Sequence, residues 1–259
     1  MDFARPRSVA PVTTLGAPAD PWTPPRLRLV CLDIDDTLVD FSAAGRRALA
    51  AVLGRADLWP LWDQITDRHV ALVVAGELDY ASMHRRRTRC FLGELGVVAD
   101  DEEIARFEAE RKDLLRRSMC LFDDVLPCLD WLRAAGVQLA AVTNASGAHQ
   151  RAKLAGLGLA RFFDHVAIAG EIGVAKPDPV MFHSVCARLG CDPAEAAHVG
   201  DKLQTDAVGA RDAGLAGVWL DRHDSGAEVP EGVHVISGLD DLPQLLVSEF
   251  ARIGVPAQR

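Results

Sequence analysis

Residues 29–38 read LVCLDIDDTL, and this stretch decides how the rest of the chain is interpreted. Four apolar residues lead directly into Asp33, Asp35 and Asp36, which predicts a buried strand that ends in three carboxylates. Open α/β sheets place their ligands in the crevice beyond the carboxyl ends of the strands. Because Asp33 and Asp35 lie two apart on an extended segment, they share one face, and together they are suited to a hard divalent cation.

The composition is that of an ordinary globular protein with an acidic surplus. The chain has 259 residues, 49% of them hydrophobic and 25% charged, and a net charge of −9. Phosphate backbones are held by dense Lys and Arg, so we expect no nucleic-acid partner. The sequence has no recognisable leader, no apolar run of membrane-spanning length and no CxxC pair among its six cysteines. We therefore expect a cytoplasmic protein without membrane association or a zinc site.

Two segments flank the first strand. Residues 1–25 contain six prolines and no periodic pattern, which predicts a disordered or loosely attached tail. Residues 41–119 instead show apolar residues at helical spacing, and the predicted helices cover residues 43–53, 58–74, 80–95 and 102–119. A helical block between a strand and the next α/β unit predicts an inserted subdomain, residues 41–119, in a core formed by residues 26–40 and 120–259.

From about residue 120 onward, short apolar runs alternate with helical stretches. Strands are predicted over residues 137–142, 166–169, 196–199, 217–220 and 234–236. Helices are predicted over residues 125–135, 147–157, 179–189, 205–213 and 239–250. Strands that alternate with ten-residue helices imply βαβ units. The sequence therefore predicts an α/β fold: a Rossmann-like, three-layer α/β/α core with a mainly parallel sheet, plus an inserted all-helical subdomain.

Polar residues also follow the second predicted strand. Thr143 and Asn144 open the sequence TNAS, immediately before a predicted helix. The amides at the N-terminus of that helix are suited to binding an anion. The alternative interpretation is that TNAS simply caps the helix.

Two further clusters precede predicted helices in the second half of the chain. Lys176 lies in the sequence KPDP, whose prolines predict a fixed turn; a solvated surface lysine is the alternative. Asp201 and Asp206 lie in GDKLQTD, directly after the strand predicted over residues 196–199, and Asp206 alternatively caps the next helix. We expect these side chains to converge with Asp33 in one pocket.

The order of these motifs resembles the haloacid dehalogenase (HAD) superfamily. DxDxT, then Thr, then Lys-Pro, then GDxxxxD occur in the order of that family's four motifs, over about residues 29–222. The resemblance implies that the helical insertion is a cap that closes over the active site. It also implies a Mg²⁺-dependent enzyme with an aspartate nucleophile.

The resemblance assigns a role to each motif residue. Asp33 is implied to be the nucleophile. Asp35 is implied to be the general acid and then the base, with its backbone carbonyl completing the metal shell. Thr143 and Asn144, with the ammonium of Lys176, are implied to bind the transferring phosphoryl group.

The same resemblance implies the remaining metal contacts. Asp201 joins Asp33 and Asp35 as a metal ligand, and Asp206 holds a metal-bound water or orients Lys176. In the cap, Arg86 and Arg89 lie three apart and so share a helical face, which makes them candidates for binding a second anionic group of the substrate.

The chemistry predicted from this set is hydrolysis of a small phosphorylated metabolite through an aspartyl phosphate. An alkoxide leaving group needs a proton whereas a halide does not, so the acid at Asp35 favours a phosphatase over a dehalogenase. A phosphomutase or phosphotransferase, a haloacid dehalogenase and a non-catalytic binding protein remain as alternatives. The sequence leaves the particular metabolite and the oligomeric state open.

Overall fold

A six-stranded parallel sheet lies at the centre of the computed structural model, which describes residues 26–145, 147–250 and 252–253. The predicted tail, residues 1–25, lies outside the described residues. The strand order is β4-β3-β2-β5-β6-β7. The strands are β2 (Leu29–Leu32), β3 (Gln138–Thr143), β4 (His165–Ile168), β5 (Ala196–Gly200), β6 (Ala216–Leu220) and β7 (Val233–Ile236). The predicted parallel α/β fold is therefore confirmed.

The apolar run before Asp33 becomes the central strand β2, which pairs with β3 on one side and β5 on the other. Its side chains alternate between two cores, as the two-residue period of a strand requires. Val30 and Leu32 belong to the core under α5 and α10, whereas Leu29 and Cys31 belong to the core under α8. Both faces of the sheet are thus covered. The helices of this layer arrangement are α5 (Val125–Ala134), α6 (Gly147–Gly156), α7 (Ala169–Ile172), α8 (Pro179–Leu189), α9 (Gly209–Asp212) and α10 (Leu242–Glu249).

Four helices fill the segment between β2 and α5, here called the helical insertion. They are α1 (Phe41–Leu53), α2 (Trp59–Val74), α3 (Tyr80–Glu94) and α4 (Asp101–Ser118). Asp40 and Asp100 cap the first and last of them, and Asp100 forms a capping box with Glu103. Helices α1 and α4 pack together, and Trp62 meets Phe91 edge to face at 5.0 Å inside the insertion. None of the helices in the described ranges has the length and apolar character needed to cross a membrane.

The structure differs from the sequence prediction in several elements, among them the short helix α7, which begins at the last residue of the strand predicted over residues 166–169. The helix predicted over residues 205–213 is a π-helical segment, Leu203–Val208, followed by the short α9. The helix predicted over residues 239–250 begins with a 3-10 turn, Leu239–Asp241. A second sheet was not predicted, because its two parallel strands, β1 (Arg26–Leu27) and β8 (Arg252–Ile253), are only two residues long and show no period.

The helical insertion is held together by a buried charge network around Glu108. Its carboxylate accepts from Arg87 at 2.9 Å and from Arg111 at 3.0 Å, and it also accepts from Thr88. Both guanidinium groups lie over the Trp62 ring, at 4.1 and 4.9 Å from its centroid. Burial acts to raise the pKa of Glu108, but the two arginines outweigh it and lower that pKa to about 2.

We expect Glu108→Gln to destabilise the protein by about 3–5 kcal/mol, because two buried guanidinium groups lose their negative partner. The shift from 4.5 to about 2 implies that ionised Glu108 stabilises the fold above about pH 4.5, a contribution lost as pH falls toward 2. Urea unfolding at neutral pH and at pH 3 measures both effects. The control is Glu110→Gln, an exposed position on the same helix. Equal unfolding free energies for the two variants would contradict the prediction.

Candidate active site

Lys176 and Asp33 form the centre of a buried cluster at the carboxyl edge of the sheet. The Lys176 ammonium donates to Asp33 Oδ1 at 2.6 Å and to the Val142 carbonyl at 2.7 Å. It also pairs with Asp206 Oδ1 at 2.7 Å. All three of its protons therefore have acceptors, which is what a lysine only 2% exposed requires.

Asn144 and Asp178 fix the segment that carries Lys176. The Asn144 side chain accepts from the Lys176 backbone amide and donates to its carbonyl, both at 2.8 Å. The Asp178 carboxylate caps α8 by accepting from the Val180 amide at 2.9 Å, as the KPDP turn predicts. Asn144 was predicted to bind phosphate, but in the structure its amide oxygen and nitrogen are both engaged in holding the Lys176 backbone.

Three carboxylates lie together around this lysine. Each of Asp33, Asp201 and Asp206 offers an oxygen within 4.8 Å of the others. A side chain at Gly200 would collide with Asp206, since an added Cβ would lie 2.3 Å from its carboxyl carbon. Asp206 Oδ1 is 3.1 Å from His198 Nε2, and its Oδ2 accepts from the backbone amide of residue 202 at 3.0 Å. Asp206 is thus positioned to orient Lys176.

The backbone of Asp201 is fixed from two sides. Its amide donates to the Thr37 hydroxyl at 3.1 Å, and its carbonyl accepts from the Trp219 indole at 2.9 Å. Thr37 belongs to the DxDxT sequence, so the first and fourth motifs are joined directly. The Asp201 carboxylate lies 3.7 Å from the Lys202 ammonium, which is largely exposed.

The electrostatics of the cluster favour a cation. Burial, together with Asp206 and Asp201, raises the pKa of Asp33 despite the neighbouring Lys176. Burial raises the pKa of Asp201 to about 7. Asp206 resists the same burial, because Lys176 and His198 hold its pKa below the ordinary range. Mg²⁺ prefers carboxylate oxygens, and Asp33 and Asp201 present them in a buried site whose excess negative charge it would neutralise.

The Asp35 side chain turns to helix α6 rather than to the acid cluster. Its Oδ1 forms an ion pair with Lys153, and its Oδ2 accepts from Gln150 at 2.9 Å. The same Gln150 amide lies 3.3 Å from the hydroxyl of Thr143, which is buried at the end of β3. The Asp35 carboxylate is thus engaged by α6, and the role of its backbone carbonyl as a metal ligand stays a prediction.

Asp36 turns the chain from the strand into the helical insertion. It adopts a positive φ of 60°, which Asp tolerates better than most residues. Its carboxylate accepts from the Ser42 amide at 2.7 Å and from the Ser42 hydroxyl at 2.6 Å. The third carboxylate of the DIDD sequence thus fixes the turn that leads into α1.

Arg86 and Arg89 lie elsewhere, on the outer side of α3. They line a surface cavity of about 390 Å³ together with residues of α2 and α3, namely His69, Leu72 and Cys90. Arg89 also forms an ion pair with Asp101 at the start of α4. Within the described ranges, neither arginine forms a hydrogen bond or ion pair with Asp33, Asp201 or Asp206.

The cavity lies on the side of α2 opposite Asp63. Asp63 and Asp67 help to raise the pKa of Lys202 against the effect of burial, which indicates that their side of α2 faces that lysine. Leu72 comes nine residues after Asp63, and nine residues at 3.6 per turn place it on the opposite side of the helix. The sequence predicts that the two arginines share a helical face. It does not predict which part of the protein that face meets.

Gln150 and Lys153 were missed by the sequence prediction. They lie three residues apart on α6, directly after the Thr143 motif, and so share one helical face. The sequence did contain a signal for them. Gln150 and Lys153 form a polar pair on the first turns of a helix that begins at a candidate site. His198 also contributes to the site through Asp206, although we predicted no role for it.

Comparison with known proteins identifies relatives of the whole domain. A family model for haloacid dehalogenase-like hydrolases matches residues 27–214. A glyceraldehyde 3-phosphate phosphatase from Methanopyrus kandleri is 34% identical over 200 residues, covering 76% of this chain and 84% of that protein. A phosphoserine phosphatase from Thermus thermophilus is 32% identical over 228 residues, covering 76% of this chain and 89% of its own.

A solved structure shows the same fold. The HAD hydrolase YfnB from Bacillus subtilis, crystallised with magnesium, superposes with a TM-score of 0.73 at 26% identity. The match covers 85% of this chain and 99% of that one. Together with the motif geometry and the family match, this shows that the chain belongs to the haloacid dehalogenase-like hydrolase family.

Proposed function

We propose that this chain is a Mg²⁺-dependent phosphatase that hydrolyses the phosphate monoester of a small metabolite through an aspartyl phosphate on Asp33. The observation that carries the proposal is the convergence of four side chains from three separate segments of the chain, those that follow β2, α7 and β5. Lys176 contacts both Asp33 and Asp206, and the latter two lie within 4.8 Å of Asp201. The named relatives act on glyceraldehyde 3-phosphate and phosphoserine, which supports a small monoester as the substrate class.

In the first step, an Asp33 carboxylate oxygen attacks phosphorus and the bond to the alcohol breaks. Asp35 must enter this step in its protonated form; it gives that proton to the departing oxygen and is left as a carboxylate. In the second step, water loses a proton to Asp35 as its oxygen attacks phosphorus, and the bond between phosphorus and Asp33 breaks. Splitting hydrolysis in this way is covalent catalysis by a carboxylate. A halide would leave without that proton, so the presence of an acid at residue 35 supports a phosphatase over a dehalogenase.

Charge on the phosphoryl oxygens must be neutralised for both steps. Lys176 supplies one positive charge, and its three contacts hold it in place. Bound Mg²⁺, held by Asp33, Asp201 and the Asp35 carbonyl, would supply the other by electrostatic stabilisation. Thr143 and the N-terminal amides of α6 are proposed to bind the remaining oxygens.

The helical insertion is proposed to act as a cap over residues 26–40 and 120–259. A cavity of about 200 Å³ lies where it meets the core, lined by Ser42 and Arg46 of the insertion and by Asp36, Asp201 and Lys202 of the core. This volume is below the range of about 300–1,000 Å³ that is usual for ligand pockets, which favours a small substrate. Excluding water by closure is the usual function of such a subdomain.

A panel of phosphorylated metabolites tests the proposal. With Mg²⁺ present, we expect release of inorganic phosphate from at least one small alkyl monoester. Transfer of the phosphoryl group to a second sugar, with little free phosphate, would instead indicate a mutase or phosphotransferase. The panel should span phosphorylated aldehydes, amino acids and sugars, since the two named relatives differ in substrate.

Magnesium dependence gives a separate prediction. We expect chelation to abolish activity, and Mg²⁺ at about 100 times its Kd to raise Tm by roughly 5–10 °C. Asp201→Asn should raise the Mg²⁺ concentration needed for half-maximal activity by at least about tenfold, because a ligand is lost. Asp130→Asn, an exposed position on α5, is the control. A thermal shift unchanged by Asp201→Asn would place the cation elsewhere.

A further inference from the structure

Two residues of α6 hold the Asp35 carboxylate from both sides. Lys153 forms an ion pair with one oxygen, and Gln150 donates to the other at 2.9 Å. Gln150 is 1% exposed, and the Lys153 side chain is 9% exposed. Both are therefore packed inside the protein, where hydrogen bonds and ion pairs are stronger than at the surface.

These contacts connect Asp35 to two other parts of the site. The Gln150 amide lies 3.3 Å from the Thr143 hydroxyl, so one amide group spans Asp35 and a proposed phosphoryl ligand. The Lys153 ammonium lies 4.6 Å from the centre of the Phe41 ring, and Phe41 is the first residue of the helical insertion. The location of the Asp35 carboxyl is thus set by α6 and by the start of α1.

We propose that Lys153 and Gln150 are positioning residues, which hold the Asp35 carboxyl group where it exchanges a proton with the leaving oxygen and then with water. The inference rests on the function proposed above. Asp35 lies in the loop between β2 and α1 and needs partners to fix its rotamer. Lys153 is proposed to act through Asp35, and Gln150 through Asp35 and the adjoining Thr143 hydroxyl. A misplacement of about 1 Å in such a group costs about 10²-fold in rate.

The test compares two leaving groups in Lys153→Met and Gln150→Leu. One substrate is an aryl ester, 4-nitrophenyl phosphate, whose phenolate leaves without a proton. The other is the fastest alkyl ester from the panel, whose alkoxide needs one. For the alkyl ester we expect kcat/KM to fall about 10²-fold, and for the aryl ester less than about tenfold, because only the first depends on Asp35 as an acid.

The control variant is Arg151→Met, which removes a cation from the same helix. Arg151 pairs with Glu171 at the surface and does not contact Asp35 in the structure. We expect both substrates to keep their wild-type kcat/KM. Lys153→Arg, which keeps the charge and a donor, should recover at least about tenfold of the alkyl activity lost in Lys153→Met.

A double variant separates positioning from a merely structural role. If Lys153 acts through Asp35, adding Lys153→Met to Asp35→Asn should lower alkyl kcat/KM no further than Asp35→Asn alone. Equal losses on both esters, or losses that multiply in the double variant, would overturn the inference while leaving the phosphatase proposal intact. A folded wild type that hydrolyses no ester on the panel would instead overturn the proposed function, and this inference with it.

Discussion

Replacing Asp33 by Asn is expected to lower kcat by about 10⁴-fold or more, because an amide cannot form the acyl phosphate. The Asp33 oxygen that faces away from Lys176 is the proposed nucleophile. In the variant, a neutral amide replaces the carboxylate that supplies this oxygen. Wild-type enzyme quenched during turnover should carry an acid-stable phosphoryl label that hydroxylamine releases. The variant should carry none.

The variant should remain folded. Lys176 keeps Asp206 and the Val142 carbonyl as acceptors, and one of three clustered negative charges is removed. We expect the free energy of unfolding to change by less than about 2 kcal/mol. Asp130→Asn is the matched control, an exposed carboxylate changed in the same way. Turnover by Asp33→Asn above about 1% of wild type would refute the nucleophile assignment.

The positions of three of the main site residues could be predicted because each lies at or just after the end of a strand. A parallel sheet brings the carboxyl ends of its strands to one edge, so Asp33, Thr143 and Asp201 meet there once the strands pair. Lys176 follows the short α7 rather than a strand, and its motif located it through the fixed KPDP turn. Local pattern was sufficient for these residues.

The contacts of Asp35 could not be predicted in the same way. Lys153 lies 118 residues further along the chain, and its approach depends on how α6 packs beside β3. Periodicity shows which residues share a helical face, but the neighbour of that face is decided by tertiary packing. The same limit explains why Arg86 and Arg89 were predicted together yet lie away from the site.

Asn144 illustrates a second limit. The family resemblance implied that Asn144, beside Thr143, binds the transferring phosphoryl group. In the structure the Asn144 amide pairs with both backbone groups of Lys176, 32 residues away. The sequence therefore placed Asn144 at the site. It did not show that the loop carrying Lys176 has backbone groups that need hydrogen-bond partners, which Asn144 supplies.

Lys176→Met is expected to have the second large effect, on stability as well as on activity. Burying carboxylates without a counter-charge is costly, and removing one partner from a buried ion pair costs about 3–5 kcal/mol. The loss leaves Asp33 and Asp206 facing each other in the interior. Lys176 is one of the two positive charges proposed to neutralise the phosphoryl oxygens. Without it, kcat should also fall by about 10²–10³-fold. Urea unfolding and phosphate release measure the two effects.

Two comparisons distinguish the loss of a buried counter-charge from a simple packing defect. Lys202→Met removes an ammonium whose side chain is 69% exposed, so its stability effect should stay below about 1 kcal/mol. Adding Asp33→Asn to Lys176→Met removes a carboxylate that would otherwise repel Asp206, and should restore part of the lost stability although the packing is no better. If the double variant is as unstable as Lys176→Met, the cost lies in packing. If it recovers, neutralising buried carboxylates is what Lys176 contributes to the fold, and the same charge acts on the phosphoryl group.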